Sequence, residues 1–223
     1  MSKTKFRDRA MPDYTKGEEI FNMVSHIVGG AFGIVALVLT VVFSAIKGDP
    51  WAVVSSAIYG STMIMLYSVS SVYHGLHLNM GKRVMQVIDH CTIFLLIAGT
   101  YTPVALCAIR EYSLAWGWVL FGIVWGCAAL GITFTAIDMK KYSKMAMIFY
   151  IGMGWCIVMA AKPAINAIPF AGLMWILAGG IAYTVGAVLY GLGKKHRYMH
   201  SIFHIFVVLG SLLQFFGILF YVI

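Results

Sequence analysis

Residues 200–222 read HSIFHIFVVLGSLLQFFGILFYV, an apolar run opened by two histidines four positions apart. Crossing the hydrocarbon of a bilayer takes about 20 helical residues. A helix is the conformation that satisfies every backbone polar group within one such segment. His200 and His204 then stand one turn apart on the same helical face. Ionisable side chains in a membrane span are costly, face the interior of a bundle, and mark a functional site by default.

Working back from this stretch, six more apolar runs give approximate spans of Phe21–Ile46, Ala52–Tyr73, Val87–Ile109, Leu114–Ile137, Ser143–Ala161 and Pro169–Gly191. The composition agrees: 61% of the 223 residues are hydrophobic and 11% charged, which excludes a soluble globular protein. The expected fold is all-α, a seven-transmembrane helix bundle, with a basic tail over residues 1–17 and a single transmembrane domain over 18–223. The first run is too long for a signal-peptide core and lacks a small-residue cleavage site, so it is expected to remain as an anchor.

Local signals punctuate these spans. Thr15 and Glu18 have capping-box spacing, Asp49-Pro50 reads as an N-cap followed by proline at the first helical position, and Ser113 and Ser143 are candidate caps. Pro103 is expected to kink the third span. Gly29/Gly33 and Gly122/Gly126 are small-xxx-small pairs, which predict close helix packing. Trp51, Trp116, Tyr142 and Trp175 fall near span ends, where an interfacial aromatic belt places them. Cys91, Cys107, Cys127 and Cys156 all fall inside spans without metal-ligand spacing and read as packing residues.

The basic residues are one-sided. All but Lys47, Arg110 and Lys162 of the 16 Lys and Arg lie in the tail or in the even-numbered gaps between spans. The positive-inside rule puts the N-terminus in the cytoplasm and the C-terminus outside. The net charge of +8 follows from this asymmetry and suits anionic headgroups, with no reason to invoke nucleic acid.

With that topology, Asn22 and His26 begin the first span, His74 ends the second, Asp89 begins the third, and His200 and His204 begin the seventh, all in the cytoplasmic leaflet. Three imidazoles from two helices suit zinc, whose catalytic sites keep three protein ligands and an open position. Bound zinc lowers the pKa of its water to about 7 and polarises a carbonyl. Asp89 can then orient the water or accept its proton, and Ser70, one turn before His74, can hydrogen-bond the water or an oxyanion. Two histidines four apart also fit a wet interface; the presence of His74 and Asp89 at the same depth favours the metal. Glu19, Asn22 and His26 form a stripe on the first helix, read as a structural or supporting element rather than as ligands. His77 and His196 read as solvated loop residues. His90 points about a quarter-turn from Asp89 and is not expected to ligate.

Glu19-x2-Asn22-x3-His26, Ser70-x3-His74 with Asp89, and His200-x3-His204 together resemble the three signature motifs of the progestin and adipoQ receptor family, most closely its bacterial, hemolysin III-like branch. The resemblance covers nearly the whole chain, in order. It implies a seven-helix bundle with Zn2+ near the cytoplasmic face, held by residues matching His74, His200 and His204, in a bacterial cytoplasmic membrane. Adiponectin receptors and alkaline ceramidases are similar in placing a serine and an aspartate, here Ser70 and Asp89, around the zinc-bound water. Those relatives are associated with hydrolysis of lipid amides, and members of the family with control of membrane lipid composition.

Three functions are therefore open. The first is a zinc hydrolase of lipid amide or ester bonds, with membrane lipids as substrates or ligands. The second is a non-enzymatic, lipid-responsive receptor or homeostasis factor with a structural zinc. The third, suggested by the family name alone, is a cytolytic pore, for which the spans offer no continuous hydrophilic lining. A retinal pump is disfavoured because the seventh span has no lysine for a Schiff base.

Overall fold

The computed structural model of the chain describes residues 11–192 and 196–223; Lys3, Lys5, Arg7, Arg9, Lys194 and Lys195 lie outside them. Among the described residues seven helices are long and apolar enough to cross a membrane: α1 (Lys16–Lys47), α2 (Pro50–Gly75), α3 (Met80–Tyr112), α4 (Leu114–Asp138), α5 (Ser143–Ala167), α6 (Phe170–Leu192) and α7 (Met199–Tyr221). No strand occurs among these residues. The all-α, seven-span expectation therefore holds.

Several helices extend past the apolar segments, and side-chain caps mark some of their starts. Thr15 and Glu18 form the complete capping box of α1, and Asp49 accepts the Trp51 N–H at the start of α2. Ser113 occupies the N-cap of α4 without a side-chain hydrogen bond, and Ser143 is already helical, with Tyr142 at the cap of α5. The largest boundary correction is in α3. It starts at Met80 under an Asn79 cap whose Oδ1 accepts the Lys82 N–H at 2.9 Å. Asp89 consequently lies about two and a half turns inside the helix instead of at its start.

Two of the helices are interrupted. After Pro103, residues Val104–Ile109 adopt π-helical geometry. Proline supplies no N–H and crowds the preceding turn, which disfavours a regular α-helix around it. In α5 a 3₁₀ turn at Cys156–Ala160 separates two α segments, so Lys162 sits within the last helical part and not in a loop.

Packing inverts the pattern of a soluble helix. The buried positions of α1 are Glu18, Asn22, His26, Gly29, Gly33, Ala36, Thr40 and Ser44, a small and polar stripe at three- and four-residue spacing. Its exposed positions include Val24, Ile27, Val28, Ile34, Val35 and Val38. Lipid solvates aliphatic side chains, so polar groups turn inward to find partners. α1 lies along α2 and also touches α7, α6 lies along α7, and α2 packs on α3. α3 takes the centre: 72% of its most apolar window is buried, against 22–50% for the other six helices.

Close approach of α1 and α2 depends on Gly29, where a Cβ would stand 2.6 Å from the Tyr67 ring. The second glycine pair behaves differently from expectation. A Cβ at Gly122 or Gly126 would meet nothing within 4 Å, so these glycines do not mark a helix contact. The four cysteines are free and half-buried or buried, as packing residues should be.

Candidate metal centre

Three imidazoles converge where the end of α2 meets the start of α7. His74 is buried in the last turn of α2, and its Nε2 lies 3.3 Å from Nε2 of His200, which is 3.1 Å from Nε2 of His204. One ring nitrogen from each residue falls within 4.8 Å of the others. A tetrahedral ion with bonds of about 2.05 Å to nitrogen holds its ligands about 3.3 Å apart, which matches this spacing. A neutral imidazole has one N–H to give and one lone pair. His74 directs Nδ1 at Glu19, leaving the Nε2 lone pair facing two further ring nitrogens. A cation at the centre accepts all three lone pairs, whereas hydrogen bonding among the rings satisfies them incompletely.

The start of α7 is fixed from α1. Tyr198, at the N-cap, has φ 62°, a left-handed backbone unusual for a residue with a side chain. Its N–H donates to Oε1 of buried Glu18 at 2.6 Å, and Arg197 Nη1 stands 3.7 Å from Oε2 of the same carboxylate. One turn further, Ser201 Oγ donates to Asn22 Oδ1 at 2.7 Å. These α1 contacts set the direction in which His200 and His204 leave the first turn of α7.

The carboxylate of Glu19 bridges two cations or donors. Oε2 accepts from His74 Nδ1 at 2.6 Å and Oε1 from Lys82 Nζ at 2.6 Å. A ligating histidine is commonly held in this way, by a carboxylate on its other nitrogen. Nδ1 of His200 has no hydrogen-bond partner among the described residues, whereas the ring of His204 comes close to the Asn22 backbone.

Aromatic rings enclose the cluster. Tyr14 stacks on His200 with centroids 5.1 Å apart and planes 10° apart, Tyr190 tilts against the same ring at 5.3 Å, and Tyr73 lies 4.5 Å from His74. His26 stacks on His204 at 3.7 Å and 18°, and neither of its nitrogens has a hydrogen-bond partner among the described residues. Burial pushes the phenol of Tyr14, which precedes α1, well above its ordinary range, aided by Tyr190, Tyr73 and Glu19, so it remains an O–H donor. Walls of this kind exclude bulk water and strengthen the electrostatic interactions inside them.

Asp89 reaches the same region from α3. It is 8% exposed, the Ser70 hydroxyl lies within hydrogen-bonding reach of it, and His74 is close enough to act on its carboxyl electrostatically. His90 stands 3.8 Å away but turns Nδ1 to the Gln86 carbonyl at 2.8 Å, outside the imidazole cluster. His77 and His196 are exposed.

Glu18, Tyr14 and Lys82 are the site residues that the sequence reading passed over. Lys82 had been counted among the loop cations that set topology; the structure buries it to 6% exposure. Its signal was its spacing, because Lys82, Gln86 and Asp89 recur at four and three residues on one face of a helix that begins at Met80.

The profile of the haemolysin-III related family matches residues 14–215, which contain every residue of this site. The chain is 38% identical over 206 residues to Hemolysin-3 of Bacillus cereus, covering 92% of each. It is also 38% identical over 208 residues to the Hemolysin-3 homolog of Bacillus subtilis, covering 93% of this chain and 96% of that one. A more distant similarity, 26% over 189 residues, joins it to the Monocyte to macrophage differentiation factor of Homo sapiens, covering 82% of this chain and 76% of the human one.

Proposed function

The chain belongs to the haemolysin-III related family of membrane proteins, and from that premise we propose that it holds zinc on His74, His200 and His204 and hydrolyses an amide or ester bond of a membrane lipid. The observation that carries the reading is the convergence of ring nitrogens of His74, His200 and His204 within 4.8 Å of one another, with Asp89 close to Ser70 and His74. Three imidazoles with an open fourth position suit zinc better than the harder, oxygen-seeking cations. When bound there, zinc supplies Lewis acidity and makes hydroxide accessible near neutral pH.

The chain's own residues supply the rest. Glu19 keeps His74 in the orientation that presents Nε2. A carboxylate oxygen of Asp89 takes the proton of the attacking water and returns it to the departing amine or alcohol. Ser70 Oγ–H steadies that carboxylate or hydrogen-bonds the carbonyl oxygen as charge develops on it. The substrate is a bilayer lipid or another acyl amphiphile, reached from the hydrocarbon because the site lies within the span ends. By the basic-residue asymmetry the site faces the cytoplasmic side of a bacterial inner membrane.

The Tyr14 ring stacked on His200 favours one alternative, in which zinc is a structural staple of a lipid-responsive homeostasis factor and the site stays closed. A pore, suggested by the names of the Bacillus relatives, fits poorly with an interior filled by Tyr59, Met63, Tyr67 and Phe94, each 0% exposed.

Elemental analysis and lipid mass spectrometry on purified protein test the reading together. Zinc in the wild type, its loss in His204→Ala, and a lipid product that disappears in Asp89→Ala are expected. A metal-free wild type overturns the zinc assignment; zinc present without any lipid consumed overturns the hydrolase and leaves the staple.

A further inference from the structure

Lys82 has the contacts of a working part and not of a topological charge. Its ammonium donates to Glu19 Oε1 at 2.6 Å and to the Leu76 carbonyl at 2.9 Å, and lies 5.2 Å from the centre of the Tyr73 ring. Leu76 is the residue that caps α2, two positions after His74. The first turn of α3 is thereby pinned to the end of α2 that carries a ring of the cluster.

We propose that Lys82 is a positioning residue of the histidine centre, holding Glu19 so that its second oxygen fixes His74 with Nε2 free toward the ion. This inference rests on the zinc reading and deepens it. Three features carry it. First, the two oxygens of Glu19 are divided, one to Lys82 and one to His74, so the Lys82 contact dictates how the carboxylate is rotated. Second, the Glu19 side chain is 21% exposed and needs a countercharge in this low-dielectric setting. Lys82 provides it, and His74 has to offer Glu19 no more than a neutral N–H. Third, His74 is the ring of the three whose Nδ1 is held by a carboxylate: Nδ1 of His200 has no partner among the described residues, and the ring of His204 has the neutral Asn22 backbone beside it. The Lys82–Glu19 pair is then the outer support on which the ring cluster depends.

The test uses the full chain in detergent micelles, with zinc affinity measured by chelator competition and the histidine tautomer by 15N NMR of metal-stripped protein. Lys82→Met should weaken zinc binding about 10–100-fold at unchanged stoichiometry, the usual range for losing such a partner. It should also turn a single Nδ1–H tautomer of His74 into a mixture. Lys82→Arg, which keeps charge and donors, should recover most of the affinity. The double variant Lys82→Met/Glu19→Gln should bind no more weakly than Glu19→Gln alone, because Lys82 acts through Glu19. It also removes the unpaired carboxylate that makes Lys82→Met liable to misfold. Wild-type affinity and tautomer in Lys82→Met overturn the proposal, and so do fully additive losses in the double variant. A wild type that binds no zinc sinks the metal reading, and the tautomer comparison alone then decides the role of Lys82.

Discussion

Oε2 of Glu19 lies 2.6 Å from Nδ1 of His74, joining a carboxylate near the start of α1 to an imidazole in the last turn of α2 across 55 positions of sequence. The contact settles which nitrogen of His74 points into the cluster. Exchanging the carboxylate for an amide tests its charge with little change of shape. Glu19→Gln should retain the fold and lower zinc affinity about 10–100-fold. Chelator competition checks this, and an unchanged affinity would show that the carboxylate matters for packing alone.

Asp89 and the ring cluster should separate cleanly. Asp89→Asn keeps the size and a hydrogen bond to Ser70 but cannot take a proton. Zinc content should stay at the wild-type level while lipid turnover, followed by mass spectrometry, drops by about 10²-fold or more. Loss of zinc together with turnover would instead make Asp89 a part of the metal site.

Metal removal should be felt as stability. Three imidazoles from two helices turn ring nitrogens toward one another, so an ion bound there stabilises the folded state, by an amount that grows with the logarithm of its free concentration. Chelator-treated protein should melt earlier than untreated protein in the same detergent. Added zinc should restore the melting point and magnesium should not. Equal melting curves with and without chelator would argue against a site coupled to the fold.

Gly29 and Gly122 predict opposite outcomes for one substitution. Leucine at Gly29 drives its side chain into the Tyr67 ring, 2.6 Å from the Cβ position, and overpacking of that kind costs about 1–3 kcal/mol. A Cβ at Gly122 meets nothing within 4 Å, so leucine there should leave the melting temperature close to wild type. Similar shifts for both would mean that α1 and α2 tolerate separation.

The sequence was informative wherever the cause of structure is local. Seven apolar stretches of sufficient length force seven helices, because backbone groups find no other partners in hydrocarbon. The cap at Thr15 and Glu18 and the start at Asp49-Pro50 were legible for the same reason: each needs residues within three positions. His200 and His204 were readable as a pair because one helix turn holds them together. Their shared depth in the predicted topology added His74 and Asp89 to that pair, and the structure brings His74 to 3.3 Å from His200.

Tertiary packing decided what periodicity cannot encode, namely which faces meet. The same rule of small residues four apart picked out Gly29, where an added Cβ would strike α2, and Gly122, where it would meet nothing within 4 Å. Lys82 reads in the sequence as a loop charge and Glu18 as a helix cap alone, yet both are buried, because partners 63 and 180 positions away in sequence complete their hydrogen bonds. The energy of a charge inside a membrane protein is set by whatever lies opposite it, and chain order leaves that choice to the packing of the helices.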